Sequence, residues 1–162
     1  MANETGTPVY EWAAAEVGDT IPPADIRVEQ SRIDLYVTTS GDGNPLYSDA
    51  AFAKSKGMDS TAVPISMAMR VAPTRRSVII REKGYSHPVR PTPFARWECQ
   101  FFAPMKPGDV ITSETRLGEK FEKRGRKYVV WTITARNQHG EKVMEYRSTN
   151  CWEGAKPEDK SR

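Results

Sequence analysis

Hydrophobic positions along this chain change their period once, at about Trp97. Ahead of that point the spacing is helical. Ile33, Tyr36 and Val37 stand at i, i+3 and i+4, which places them on one helix face. They predict a helix from about Gln30 to about Thr39, stopped by Gly41, Gly43 and Pro45. Asp49 to Lys56 predict a short helix with Phe52 as its apolar contact, ended by Gly57. The stretch from Ala62 to Ala72 is apolar nearly all round, the mark of a buried helix. Pro64 is tolerated in its first turn and Pro73 ends it. Its β-branched residues leave a buried strand as the alternative, while its Met and Ala content favours helix.

From Trp97 onward the pattern alternates. Trp97, Cys99 and Phe101 alternate with Glu98, Gln100 and Phe102, and Val110 to Leu117 form a second strand. Val129, Trp131, Ile133 and Ala135 share one side of a third strand, and Met144, Tyr146, Ser148, Asn150 and Trp152 continue the theme in a fourth. Turn signals lie between them at Pro107-Gly108-Asp109, Arg124-Gly125-Arg126 and His139-Gly140. Four strands with short connections predict an antiparallel meander. Such a sheet must bury one face, and the apolar helix near residues 62–72 is the element to cover it. The expected class is α+β: a curved antiparallel sheet wrapped around one buried helix, which is the hot-dog arrangement.

Composition then bounds the picture. The 162 residues suit one domain, expected over 10–152, with a flexible N-terminus over 1–9 and a flexible tail over 153–162. With 38% hydrophobic and 28% charged residues, the chain reads as a globular domain with apolar mass for one core. A formal charge of +3 does not indicate nucleic acid, and it suits an anionic small molecule. Cys99, Cys151, His87 and His139 have no zinc-ligand spacing, so neither metal nor cofactor is expected. The absence of a signal segment or membrane-length apolar run, together with the two unpaired cysteines, gives a cytoplasmic expectation.

The most specific stretch is Ser40-Gly41-Asp42-Gly43-Asn44-Pro45-Leu46-Tyr47, following the apolar helix end Tyr36-Val37. It resembles the signature of the MaoC-like hot-dog hydratases: Ser-Gly-Asp, a variable residue, Asn-Pro, an aliphatic residue, then His. The run Phe101-Phe102-Ala103-Pro104-Met105-Lys106-Pro107-Gly108-Asp109 is similar to that family's lead into a core strand, and the resemblance extends over about residues 10–152. It implies reversible addition of water to a trans-2-enoyl thioester, on coenzyme A or an acyl carrier, to give the (R)-3-hydroxyacyl product. Water needs a positioned base, the α-carbon needs an acid, and the thioester oxygen needs a preorganised donor. Asp42 matches the family's aspartate, and Asn44, in the same motif, is a catalytic candidate whose competing role is to fix the loop rather than touch substrate. Gly-Asp-Gly-Asn-Pro is also good turn chemistry in its own right.

Two positions depart from the pattern. Tyr47 stands where the family has its catalytic His, and a phenol with a pKa of about 10, against about 6.5 for imidazole, is a very weak base. Losing a general base lowers a rate by about 10²–10⁴-fold. The family's buried helix usually starts with His-Gly, whose N–H polarises the thioester. This chain reads Ala62-Val63-Pro64-Ile65, and Pro64 has no N–H. Both departures resemble the half of a paired hydratase that lacks the His and shapes the acyl site. On that reading Pro64, Ser66 and Met67 line the substrate, and a His-bearing hot-dog subunit is the partner.

Other functions compete. One is a self-sufficient homodimeric hydratase using Asp42 and Tyr47. Another is a non-enzymatic acyl-thioester binding module. A thioesterase is disfavoured, because no Asp or Glu occurs from Thr61 to Ala72. The cluster Lys120, Lys123, Arg124, Arg126 and Lys127 crowds a hairpin tip, where Arg124 and Lys127 are candidates to meet coenzyme A phosphates against the plainer reading of a solvated turn. Arg75-Arg76 reads as positive charge closing a helix C-terminus. Met67 and Met69 read as core or as a flexible acyl lining, and Ser66 as a buried hydroxyl bonding its own helix. His87 in the proline-rich loop is a remote candidate for a displaced base, and His139 a surface residue.

Overall fold

A computed structural model describes residues 6–153. Five strands form one antiparallel sheet: β1 Ala24–Arg27, β2 Phe94–Phe101, β3 Val110–Lys123, β4 Arg126–Arg136 and β5 Lys142–Glu153. Their spatial order is β1-β3-β4-β5-β2, so β1 and β2 are the edges and the sheet is open. Register shifts at Leu117/Glu119, Lys127/Tyr128 and Ala135/Arg136 bend the long strands, since an extra residue on one strand increases local twist. Along β3 the alternation is plain: Ile111, Ser113, Thr115 and Leu117 are buried while Glu114 and Arg116 are exposed.

The helical elements are α1 Gln30–Ser40, α2 Ala50–Ser55, α3 Ala68–Val71 and α4 Arg76–Glu82, with 3-10 turns at Pro45–Tyr47 and Ile65–Met67. Met67, Ala68, Val71, Ala72, Ile79 and Ile80 bury against Trp131, Ile133, Met144 and Tyr146 of the sheet. This is the hot-dog fold, sheet wrapped on helix, as the alternation predicts.

The expected single helix over 62–72 is instead broken. Val63 donates its N–H to the Met105 carbonyl (2.9 Å), which holds it in the loop, and only a 3-10 turn follows Pro64. Ala72 (φ −139°, ψ 74°) leaves helical space because the next residue, Pro73, crowds it. The chain then restarts as α4, which the β-branched run Val78-Ile79-Ile80 disguised. Arg75 and Arg76 therefore open a helix rather than close one. Arg75 donates its backbone N–H to Thr115 Oγ1 (3.1 Å) and its guanidinium to the Pro22 carbonyl (2.7 Å). Strand β1 is too short to show its period in the sequence, and β2 begins at Phe94, three residues before the expected start.

The packed unit starts earlier than residue 10. Val9 bridges to Ser86, Ser86 donates its N–H to the Pro8 carbonyl (2.9 Å), and Val9 and Tyr10 are buried. At the other end Glu153 is the last residue of β5, and its Oε2 pairs with Lys127 at 2.8 Å. The remainder of the expected flexible ends, residues 1–5 and 154–162, lies outside the described residues.

Candidate functional site

The signature loop is built from successive caps. Gly41 adopts φ 69°, the left-handed conformation that ends α1, and returns its N–H to the Val37 carbonyl. Asp42 Oδ1 accepts the Asn44 N–H (3.3 Å), and Asn44 Oδ1 accepts the Leu46 N–H (3.1 Å), capping the 3-10 turn that Pro45 opens. Asp49 Oδ1 accepts the Phe52 N–H (2.9 Å) and caps α2. So Asn44 and Asp49 each have a capping duty, through Oδ1. Asp42 is half-buried, and its Oδ2 accepts no hydrogen bond from the described residues. Tyr47 is half-buried against the core, and its hydroxyl bonds none of them.

Gln30, which the sequence pattern did not single out, fixes this loop. Its Nε2 donates to the Tyr47 carbonyl (3.4 Å) and its Oε1 accepts from Thr61 Oγ1 (3.1 Å). Ala62 N–H donates to the Leu46 carbonyl (2.9 Å), so the loop is stitched to the segment that leads into Pro64. The signal available in the sequence was only a polar residue at the start of α1. Asp109 steadies the same end of the sheet. It is 4% exposed, with Oδ2 accepting the Lys106 N–H (2.9 Å) and Oδ1 accepting from Gln138 Nε2 (3.1 Å).

Two cavities lie elsewhere. The larger, about 710 Å³, opens between β1, α1 and α3 and has Leu35, Tyr36, Met67, Met69 and Val71 on its apolar wall. Arg27, Arg32 and Arg70 stand on its rim with Glu29. The smaller, about 410 Å³, is almost wholly apolar and lies between Ile65, Ser66, Met69 and the edge residues Phe94, Trp97 and Phe101. Met69, 43% exposed, lines both. Asp42, Asn44 and Tyr47 line neither.

Of the expected substrate-lining residues, Met67 faces the larger cavity and Ser66 the smaller, while Pro64 is buried and lines neither. Ser66 is exposed rather than buried in a helix, because the 3-10 turn rotates it outward. The hairpin tip bearing Arg124 and Lys127 is not brought near the signature loop. From Lys123–Arg126 to Thr112–Arg136 the paired strands run roughly 35 Å at about 3.3 Å per residue, and the loop joins the far end through Met105. Lys127 is already committed to Glu153, and Lys120 and Lys127 flank the Trp12 ring at 4.2 and 5.1 Å. His87 and His139 are exposed, His87 next to the Val9–Ser86 bridge and His139 in the β4–β5 turn. Among the described residues no cluster of His, Cys, Asp or Glu could hold a metal ion, and no helix is long and apolar enough to cross a membrane.

Shifted pKa values also fall outside the loop. Burial pushes Tyr146 up to about 12, partly opposed by its hydrogen bond with Thr74. Tyr146 is thus a neutral hydroxyl that donates to the Ala72 carbonyl (2.6 Å) and pins the break between α3 and α4. Burial likewise raises the neighbouring Cys99 thiol and lowers Arg76, whose guanidinium stacks over Trp152 at 5.8 Å.

An open antiparallel sheet wrapped on broken helices, with the Asp-x-Asn-Pro loop beside them, defines a hot-dog protein. The chain belongs to the family described as "FAS1-like, dehydratase domain region", whose model matches residues 15–146. No curated protein sequence matches it significantly. Among solved structures it is similar to the R-hydratase PhaJ1 from Pseudomonas aeruginosa, with a TM-score of 0.65 and 22% identity over 90% of this chain and 86% of that one. It is also similar to the C-terminally truncated HadBC (3R-hydroxyacyl-ACP dehydratase) complex from Mycobacterium tuberculosis, with a TM-score of 0.67 and 17% identity over 84% and 97%. A third similar structure is the ChsH1–ChsH2 complex from the same organism, with a TM-score of 0.69 and 18% identity over 84% and 89%. Two of these three are complexes of unlike subunits.

Proposed function

We propose that this chain is a subunit of an (R)-specific enoyl-thioester hydratase, or 3-hydroxyacyl-thioester dehydratase, and that it supplies the acyl-binding half to a His-bearing hot-dog partner. The observation that carries this reading is Tyr47. It occupies the position of the family histidine, in a loop whose other residues keep the signature, and its backbone is stitched to Gln30. The loop therefore retains the family's shape without its base. Pro64 adds to the deficit if it stands at the family's helix-entry glycine, since it offers no N–H there to a thioester oxygen.

The partner reading has its own support. Strand β2 is a sheet edge whose side chains Phe94, Trp97 and Phe101 are 51%, 38% and 37% exposed. An edge with unpaired backbone groups and aromatic side chains is a surface that another chain covers. The occurrence of heteromeric complexes among similar structures agrees with a subunit of unlike sequence.

The test is hydration of a short trans-2-enoyl-CoA by the purified chain alone and with a His-bearing partner, each with an Asp42→Asn control. Turnover only with the partner is expected. Turnover by the chain alone that Asp42→Asn abolishes would replace this reading with a self-sufficient site using Asp42 and Tyr47.

A further inference from the structure

We infer that the outer face of the sheet is a contact surface for a second copy of this chain, turned so that acidic positions of one copy meet basic positions of the other. Such an assembly is independent of the proposed function and of the β2 edge, where Trp97 and Phe101 lie on the helix side of the sheet with Met69. Side chains on the outer face form rows across the strands, because paired residues stand side by side. Glu114, Thr134 and Glu145 make one row, and Arg116, Thr132 and Arg147 make the next, as the registers of β3 with β4 and of β4 with β5 set them. Each row carries two like charges about 10 Å apart with a threonine between them, and the rows are about 7 Å apart. Register shifts at Leu117/Glu119 and Ala135/Arg136 fall on either side, so both rows lie on the stretch of unbroken pairing between them.

Charge pairing within the chain leaves this face unfinished. On β5, Arg147 is bridged to Glu119, and Glu145 to Lys142 at 2.7 Å. On β3, Glu114 and Arg116 are exposed and make no side-chain hydrogen bond or ion pair with the described residues. Sorting like charges into rows adds repulsion along each row, which a row of opposite sign laid over it relieves. A two-fold axis running across the strands, midway between the rows, does this. Glu114 then comes over the second copy's Arg116 and Glu145 over its Arg147, and the symmetry makes each pair twice. The intervals match because both rows span the same two strand spacings. Thr132 and Thr134, short and half-buried, let the charged columns on either side of them approach. An unrelated acidic or basic protein would match one row and be repelled by the other.

Sedimentation velocity over a range of concentrations tests this on the wild-type chain, on Glu114→Arg, on Arg116→Glu and on an equimolar mixture of the two variants. A thermal melt shows that each variant folds, as expected for exposed positions on a sheet face. Each variant sets like charges opposite each other against a copy of itself, yet the two variants are complementary to one another. The expected result is a wild-type association that weakens about tenfold or more in either variant alone, returns in the mixture and fades as salt is added. Contacts through the β2 edge would persist in all four samples, so the outer face is read from the mass that the single variants lose. A wild-type mass equal to that of the single variants at every concentration would overturn the contact. Loss in the single variants without recovery in the mixture would overturn it too.

Discussion

The N-terminal segment is tied to Lys83, at the end of α4, by Asp19 (2.6 Å) and Glu16 (3.3 Å), and neutralising the more buried of the two, Asp19, has a calculable effect. Asp19 accepts hydrogen bonds from Tyr10 Oη (2.6 Å), from the Glu16 N–H (3.1 Å) and from Lys83 Nζ (2.6 Å). Its side chain is 9% exposed and that of Lys83 27%. Burial opposes ionisation of Asp19, but the bonds from Lys83, Tyr10 and Glu16 outweigh it and hold the carboxyl below its ordinary value. Lys83, with burial acting against its charge, is nevertheless raised by Asp19 and Glu16. In Asp19→Asn the amide can still accept from Tyr10, but its NH₂ faces the ammonium. Breaking a fully buried pair costs about 3–5 kcal/mol and an exposed one about 0.2–1. This pair lies between, so a loss of about 2 kcal/mol is expected near pH 7, or about 4–8 °C in Tm for a domain of this size. A depressed folded pKa means the contribution is complete above the unfolded value of about 3.9 and lost as pH falls through the folded value. The gap between wild type and Asp19→Asn should therefore stay constant from about pH 7 to 5 and close in more acid solution. Urea unfolding followed by tryptophan fluorescence across that range measures it. A gap under about 0.5 kcal/mol at pH 7, or one that acid leaves unchanged, would refute the reasoning.

Ile33→Ala, at a position 1% exposed, should lower stability by about 2–5 kcal/mol in the same assay, because α1 has no other buried residue to hold it. Gly118→Ala would place a Cβ 2.5 Å from Thr132 Oγ1, so a loss of about 1–3 kcal/mol is expected, most of it recovered by adding Thr132→Ala, as a double-mutant cycle would show. Tyr146→Phe should cost about 0.5–1.5 kcal/mol through the lost bond to the Ala72 carbonyl, and hydrogen exchange should show faster opening around α3. Arg124→Ala should leave acyl-CoA affinity unchanged by calorimetry, since the hairpin tip lies at the far end of the sheet from the signature loop.

The fold was legible where one period persisted. The alternation of Val129, Trp131, Ile133 and Ala135 reads directly as one buried face of β4, and all four are fully or almost fully buried. Legibility failed where short-range chemistry overrode the pattern. An apolar run from Ala62 to Ala72 carries no period at all, so nothing in it marks the backbone bond from Val63 to Met105 that delays the helix. Strand β1 has four residues and is defined by its pairing with β3 rather than by its own sequence. In the sequence Arg75 and Arg76 look like closing charges because the β-branched run Val78-Ile79-Ile80 hides α4. Tertiary bonds to Thr115 and Pro22 make the opposite placement workable.

The signature loop poses a harder problem, because each of its residues serves two ends at once. Gly41, Asp42, Asn44 and Asp49 are what any chain needs to end one helix, turn, and start the next: Gly41, Asn44 and Asp49 are caps, and Asp42 makes the turn bond to the Asn44 N–H. A match at those positions therefore reports a conserved shape as readily as a conserved reaction. The position with no capping duty is the informative one. Tyr47 closes a 3-10 turn through its backbone alone, so its side chain is free to be whatever the chemistry requires, and here it is a phenol. The cavity evidence runs in the same direction. The larger cavity borders Met67 and Met69, and neither Gln30 nor Tyr47 lines it. On the proposed reading, a chain with Tyr47 in place of the family histidine and with an exposed aromatic edge at β2 is incomplete in two respects that one partner would supply.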